Sequence, residues 1–245
     1  MSVVVFIRRI ALAGLWTIGS TLFLCSFILS AAAEDETQEG PSSKSTNWYV
    51  SAVVSGRSGY RVTHYWSSGS NMRAHTLIGI HPITTIVRGD RYWVYDELLK
   101  EGIEIKRSAL AVAEDTKRSR PFGNDLEELV QSNGERVETG KLSGIPAETW
   151  RVTDATGRRT VWVTMSEPKV PLRVENFDRE SGDSAVLNYS NWTSNIDLPE
   201  STFEPPADLL LQKFEYEQFV EKSLEGLVGP APILHPQLLH GSRPR

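Results

Sequence analysis

Gly144-Ile145-Pro146-Ala147-Glu148-Thr149-Trp150-Arg151-Val152-Thr153 is followed by Asp154-Ala155-Thr156-Gly157 and then by Arg158-Arg159-Thr160-Val161-Trp162-Val163-Thr164. Trp150 and Val152 flank Arg151, and Val161 and Val163 recur at the two-residue period of a strand with one buried face. Asp154 to Gly157 is a turn far too short for a parallel crossover, which needs about a dozen residues, so the two strands must be antiparallel neighbours.

The same logic extends outward. Downstream, Leu172 to Phe177 and Ser184 to Tyr189 read as strands joined by Ser181-Gly182-Asp183, with Pro168 to Pro171 as the preceding link. Upstream, Arg136 to Leu142 precedes the Gly144-Ile145-Pro146 turn. Nearer the N-terminus, Trp48, Val50, Ala52 and Val54 alternate with Tyr49, Ser51 and Val53, and Tyr60, Val62, His64 and Trp66 alternate with Arg61 and Thr63. Met72 to Ile80 follows. Ile83 to Val87 and Arg91 to Tyr95 then flank the hairpin connection Arg88-Gly89-Asp90, and Ile103 and Ile105 begin another short strand. Between the two strand runs, Ser108 to Arg118 is rich in Ala and charge, and Asn124 stands before Asp125-Leu126-Glu127-Glu128-Leu129-Val130 with Gly134 beyond, which is helix punctuation. The expectation is an α+β chain: a long antiparallel meander interrupted by two short helices.

Arg8 and Arg9 precede an uncharged run from Ile10 to Ser30, and Ala31-Ala32-Ala33 stands before Glu34. This reads as a secretory signal peptide cleaved after Ala33, with an uncleaved membrane anchor as the alternative because the run is long enough to span a bilayer. Without that anchor no stable membrane span is expected, and the export implied is to the periplasm. Cys25 is the only cysteine and lies inside the leader, so no disulfide, thiolate zinc site or CxxC redox pair is available to the rest. Lys plus Arg total 26 against 31 Asp plus Glu, and no basic stretch follows the leader, so nucleic acid is not an expected partner.

Several segments together carry a resemblance: Gly144 to Val152, Arg159-Thr160-Val161-Trp162-Val163, Val170-Pro171-Leu172-Arg173-Val174-Glu175, and Asn195-Ile196-Asp197-Leu198-Pro199 through Phe203-Glu204-Pro205-Pro206. Their order resembles the C-terminal half of the LolA/LolB-like superfamily of periplasmic lipoprotein carriers and outer-membrane lipoprotein-sorting proteins. The resemblance covers about residues 47 to 210 and is strongest from 144 to 206. It implies a strongly curved antiparallel sheet, a half-open barrel, whose concave apolar face is covered by short helices and receives an acyl chain, a lipid or a lipoprotein. An envelope protein partner bound by the same scaffold is the alternative it leaves open.

The alternation nominates the inner face as Trp48, Val50, Val54, Tyr60, Val62, Trp66, Met72, Ile78, Trp150, Val152, Val161, Val163, Leu172 and Val174, with Arg61, Arg73, Arg151, Arg173 and Glu175 outside. Such a face is either a packed core with the helices as a lid or an acyl-binding cavity.

No catalytic residue, cofactor or metal is expected. Ser166-Glu167-Pro168-Lys169 matches the S-x-x-K pattern, but Pro168 and Pro171 break the helix that would bring Ser and Lys together. His64, His75 and His81 could meet across strands, yet their spacing matches no familiar metal site.

The expected organisation is a signal peptide at 1–33, a linker at 34–46, the LolA/LolB-like domain at 47–207, an amphipathic helix at 208–228 and a mobile tail at 229–245. In that helix Tyr216, Phe219, Val220, Leu224 and Leu227 share one side.

Overall fold

A computed structural model of the chain describes residues 46–57, 59–226, 229 and 231–242. The expected signal peptide and all of the linker but Thr46 lie outside the described residues.

Asn47–Gly56 (β1), Gly59–Ser68 (β2), Asn71–Ile78 (β3), His81–Arg88 (β4), Arg91–Asp96 (β5) and Glu101–Lys106 (β6) form a first meander. Glu135–Leu142 (β7), Ile145–Thr153 (β8), Gly157–Thr164 (β9), Pro171–Asp178 (β10) and Ser184–Ser194 (β11) form a second. The two join where β11 pairs with β1, and Leu210–Phe214 (β12) adds to β6, giving one sheet of twelve strands among the described residues, in the order β12-β6-β5-β4-β3-β2-β1-β11-β10-β9-β8-β7. Every pairing is antiparallel except the parallel β12 to β6. Two-residue loops Gly69-Ser70, Gly79-Ile80 and Gly89-Asp90 close three successive hairpins, and each opens on a glycine with positive φ, the conformation such tight connections demand.

The sheet is open and curved, an α+β half-barrel. The helices are Ala109–Glu114 (α1), Asp125–Gln131 (α2), Tyr216–Leu224 (α3) and Pro236–His240 (α4). Ser108 caps α1 by accepting from the Ala111 amide. Asn124 stands at the N-terminus of α2 without making a cap bond; its side-chain amide donates to the Arg120 carbonyl instead.

Cross-strand register fixes which side chains share the covered, concave face. Trp48 lies opposite Ser67, Val50 opposite Tyr65 and Ala52 opposite Thr63; Tyr65 in turn faces Ala74, then Thr85 and Val94. The expected inner face of β2 is therefore corrected by one residue. Tyr60, Val62 and Trp66 point to the convex side, where Trp66 sits against Tyr49 and Tyr60 is 83% exposed. A shift of one residue turns every side chain of a strand over, and β2 carries large side chains at both parities, so alternation alone could not choose. The inner positions beside Trp48 and Ala52 take the small Ser67 and Thr63, whereas Trp66 has room outside next to Tyr49 and His64.

The convex face is not bare either. Leu198, Phe203 and Leu209 from the segment after β11 cover Ile86, Trp93 and Tyr95. That segment then delivers β12 to the open edge of β6. Where one helix over 208–228 was expected, the chain forms β12, then α3 with a Glu215/Gln218 capping box. The unpaired edge of β6 offers five residues a ladder that outweighs helical periodicity. In the tail, expected to be mobile from 229, Leu238 and Leu239 are fully buried. Pro236 starts the first turn of α4, and the apolar residues described beside it find a face to cover.

Candidate functional site

The concave trough has two apolar halves. One is floored by Trp48, Val50, Met72, Ala74, Val87, Tyr92, Val94, Ile103 and Ile105. The other is built on Val161, Val163 and Val174, with Trp150, Val152 and Leu187 beside them and Leu129 of α2 above. Of the nominated inner residues, Trp48, Val50, Met72, Ile78, Trp150, Val152, Val161, Val163 and Val174 join these clusters. Val54 lies opposite Leu187 on the same face, and Leu172 is buried at an irregularity in the β10 to β9 ladder.

The roof over the first half is the chain's own C-terminal segment, with Phe219, Ala231, Ile233, Leu234, Leu238 and Leu239 set into the cluster. Between that segment and α2 the roof parts over a cavity of about 690 Å³ bordered by Tyr65, Leu187 and Tyr189 of the strands, Phe122 and Asp125 on the α2 side, and His235 opposite. The volume lies within the ~300–1,000 Å³ of small-molecule pockets.

One polar network holds the α2 edge of this cavity in place. The Tyr189 hydroxyl donates to Asp125 at 2.9 Å, and Arg159 donates to the other Asp125 oxygen at 2.6 Å and to Glu128 at 3.0 Å. Burial, reinforced by the Asp125 carboxylate, holds the Tyr189 phenol well above its ordinary range, so it stays a neutral donor. Burial likewise raises Tyr65 to about 12.

Nearby, the buried Arg120 guanidinium lies 5.1 Å from the Trp48 ring and 5.0 Å from that of Trp192, a cation between two indole faces. It donates to the carbonyls of Phe122 and Gly123. Gly123 has positive φ, and a Cβ there would come within 2.5 Å of the Trp192 ring, so the turn into α2 needs glycine. Arg120 fixes this turn over the trough wall, with its charge seated against the Trp48 ring at the edge of the apolar floor and against Trp192.

The sequence reading missed Tyr65, Phe122, Leu187, Tyr189, Trp192 and His235. Leu187 and Tyr189 were legible, since they alternate within the recognised Ser184 to Tyr189 strand and so share one face. Tyr65 was hidden by the β2 parity.

The weighed chemistries find other employment. Lys169 pairs with Glu148 at 2.9 Å, and this contact with the Trp150 indole bond holds the Glu148 carboxyl below its usual range. His64 contacts Tyr49 and Ser51, His75 contacts Thr84 and Glu97, and His81 contacts Asp96. Among the described residues no three metal-ligating side chains converge, and no helix is long and apolar enough to cross a membrane.

No protein-family model matches the chain, and no curated protein matches it. The fold is similar to that of an uncharacterized conserved protein from Thermus thermophilus, at 13% identity over 69% of this chain and 91% of that one, with TM-score 0.50. The chain also matches the Pseudomonas aeruginosa MucA/MucB complex structure (13% identity, 69% of this chain and 59% of that chain, TM-score 0.44). A further match is Mycobacterium tuberculosis lipoprotein LppX (15% identity, 62% and 89%, TM-score 0.38).

Proposed function

We propose that this chain is a non-enzymatic binding protein of the cell envelope that holds an acyl chain, free or borne by a lipid or lipoprotein, in the concave trough. One observation carries the reading: the two apolar halves of the concave face meet beneath a roof that parts over the 690 Å³ cavity. Its border joins apolar wall, Leu187 and Phe122, to the neutral Tyr65 phenol and to a polar rim that includes Arg118, Asn124 and Gln237, a mixture suited to an acyl chain with a polar, carbonyl-bearing head. The resemblance in residues 144–206 and the leader support the same assignment, exported and carrier-like.

Titration with the fluorescent fatty acid cis-parinaric acid tests it. Saturable one-to-one binding that Val163→Gln weakens at least tenfold is expected; fluorescence that rises without saturation, or that Val163→Gln leaves unchanged, contradicts it.

A second reading, a protein partner on the convex face, rests on Tyr60, Leu77 and Ile80, which are 83%, 46% and 78% exposed around one end of β2 and β3. Loss of a partner on Tyr60→Glu, with acyl binding unchanged, would favour it.

A further inference from the structure

Residues 231–242 occupy the trough without belonging to the sheet. Among the described residues all ladder bonds are made by β1 to β12, which end at Phe214, and the segment downstream of α3 contributes no strand. It is held by a few polar clamps, from α3 by the Tyr216 hydroxyl bonded to His240 at 3.0 Å and from the β6–α1 side by the rest. Arg107 donates to the Leu238 carbonyl, Ser108 donates through its amide to Leu239 and through its hydroxyl to His240, and the Ser242 amide donates to Glu114. Gly241, at a φ of +82°, ends α4 against Leu110, where a Cβ would come within 2.7 Å.

The fit beneath the segment is apolar and good, but its polar side is incomplete. Tyr92, wholly buried against the backbone of Leu234 and His235 and beside Thr85, makes only loose hydrogen bonds with these neighbours, and the ring nitrogen Nε2 of His235 is buried without a partner. Buried polar atoms are ordinarily well paired, and here one unpaired atom and a loosely paired Tyr92–Thr85 couple gather under and within one short segment. Such a segment covers the floor at a standing cost, and its departure would leave the ladder intact and expose Met72, Ala74, Val94, Ile103 and Ile105.

From this we infer that residues 231–242 are a displaceable plug, the trough's resident occupant, which an incoming acyl chain must exclude. The inference rests on the acyl-binding reading and adds its regulation. An acyl chain covers the same apolar floor, and an ester or amide carbonyl brings a better-placed acceptor to the Tyr92–Thr85 pair than the plug supplies. Ligand and plug therefore compete, and the protein's affinity for acyl chains is set by how firmly Arg107 and Ser108 hold the tail.

Two measurements on the full chain test this with cis-parinaric acid as the probe. In the unmodified protein, saturating probe should speed amide hydrogen exchange at Leu238 and Gly241, whose helical bonds exist only in the docked plug, at least tenfold while the amides of β3 to β5 stay protected. In Leu238→Glu/Leu239→Glu, the probe should bind at least tenfold more tightly. Binding with exchange at Leu238 and Gly241 unchanged or slowed overturns the plug and leaves the acyl-binding reading standing. Absence of saturable binding in both proteins overturns both. The exchange measurement needs no variant, so a misfolded double mutant would not rescue the idea.

Discussion

The Arg107 guanidinium donates to the Leu238 carbonyl at 2.6 Å, joining residues 131 positions apart in sequence. The same side chain, fully buried, grips both oxygens of Asp115 at 2.7 and 2.8 Å and reaches the Ala111 carbonyl. Only a planar fork serves carboxylate and carbonyls at once. Arg107→Met leaves the largely buried Asp115 carboxylate with only the distant Arg118 at 4.0 Å and is expected to cost about 3 kcal/mol, with Arg107→Lys recovering only part. Urea unfolding reads this as a lowered midpoint; a loss below ~1 kcal/mol for the Met variant would show the clamp to be idle.

Asp125 holds α2 to the strands through Tyr189 and Arg159. Tyr189→Phe removes one hydrogen bond to a charged acceptor and should cost roughly 1.5–3 kcal/mol. Asp125→Ala strips both partners and should cost more. The reverse order in urea midpoints would mean that α2 is held by Leu129 packing alone.

The β2 correction has a direct consequence. Val62 pairs with Val53 and Leu77 on the convex side, whereas Val163 is fully buried in the second trough half. Val62→Gln should leave cis-parinaric acid affinity within twofold and stability within about 1 kcal/mol, since it changes a half-buried site outside the core. A tenfold loss on Val62→Gln would put β2 back in its other register.

Much of this was readable from residues alone, and the exceptions share a cause. The meander was legible because its links are short and rich in Gly, and the faces of β1, β3 and β9 because their more continuous apolar parity, Trp48-Val50-Ala52-Val54, Met72-Ala74-Ile78 and Val161-Val163, is the one that turned inward, although Tyr49, Val53, Leu77 and Trp162 stand at the other. At β2 both parities hold aromatics, Tyr60 and Trp66 against Tyr65, and the choice belongs to the neighbouring strands. The tail was misread for a similar reason. Leu210 to Phe214 has no intrinsic strand preference strong enough to announce itself, and only the open edge of β6, about a hundred residues upstream, makes pairing worthwhile. Leu238 and Leu239 gave a local signal, two adjacent leucines, but the prolines around them read as looseness rather than as a shaped plug.

Acidity should loosen the plug. His235 is pushed down to about 4 by burial first and by Arg61 second. It stands edge-on to Tyr65 at 5.5 Å, against Tyr92, and beside a cavity that also holds Arg118, Asp125 and Glu128. Released into water its pKa returns to ~6.5. The undocked segment therefore binds more protons between pH 6.5 and 4, so docking is at full strength above about 6.5 and weakens progressively as the pH falls toward 4. Exchange at the Leu238 amide, corrected for its intrinsic pH dependence, should rise from pH 7 to 5 in the unmodified chain and stay flat in His235→Gln. Parallel behaviour of the two would remove His235 from the account.

The central claim, that the trough is an acyl site, is tested most directly by native mass spectrometry of the full chain purified from producing cells without detergent, with lipid analysis of what it releases. The account predicts one added mass per protein that yields an acyl-bearing molecule, and loss of that mass in Val161→Gln/Val163→Gln with the fold preserved by circular dichroism. Protein that is mass-pure as isolated, and that stays so after incubation with cis-parinaric acid, would contradict it and leave the concave face as a filled core.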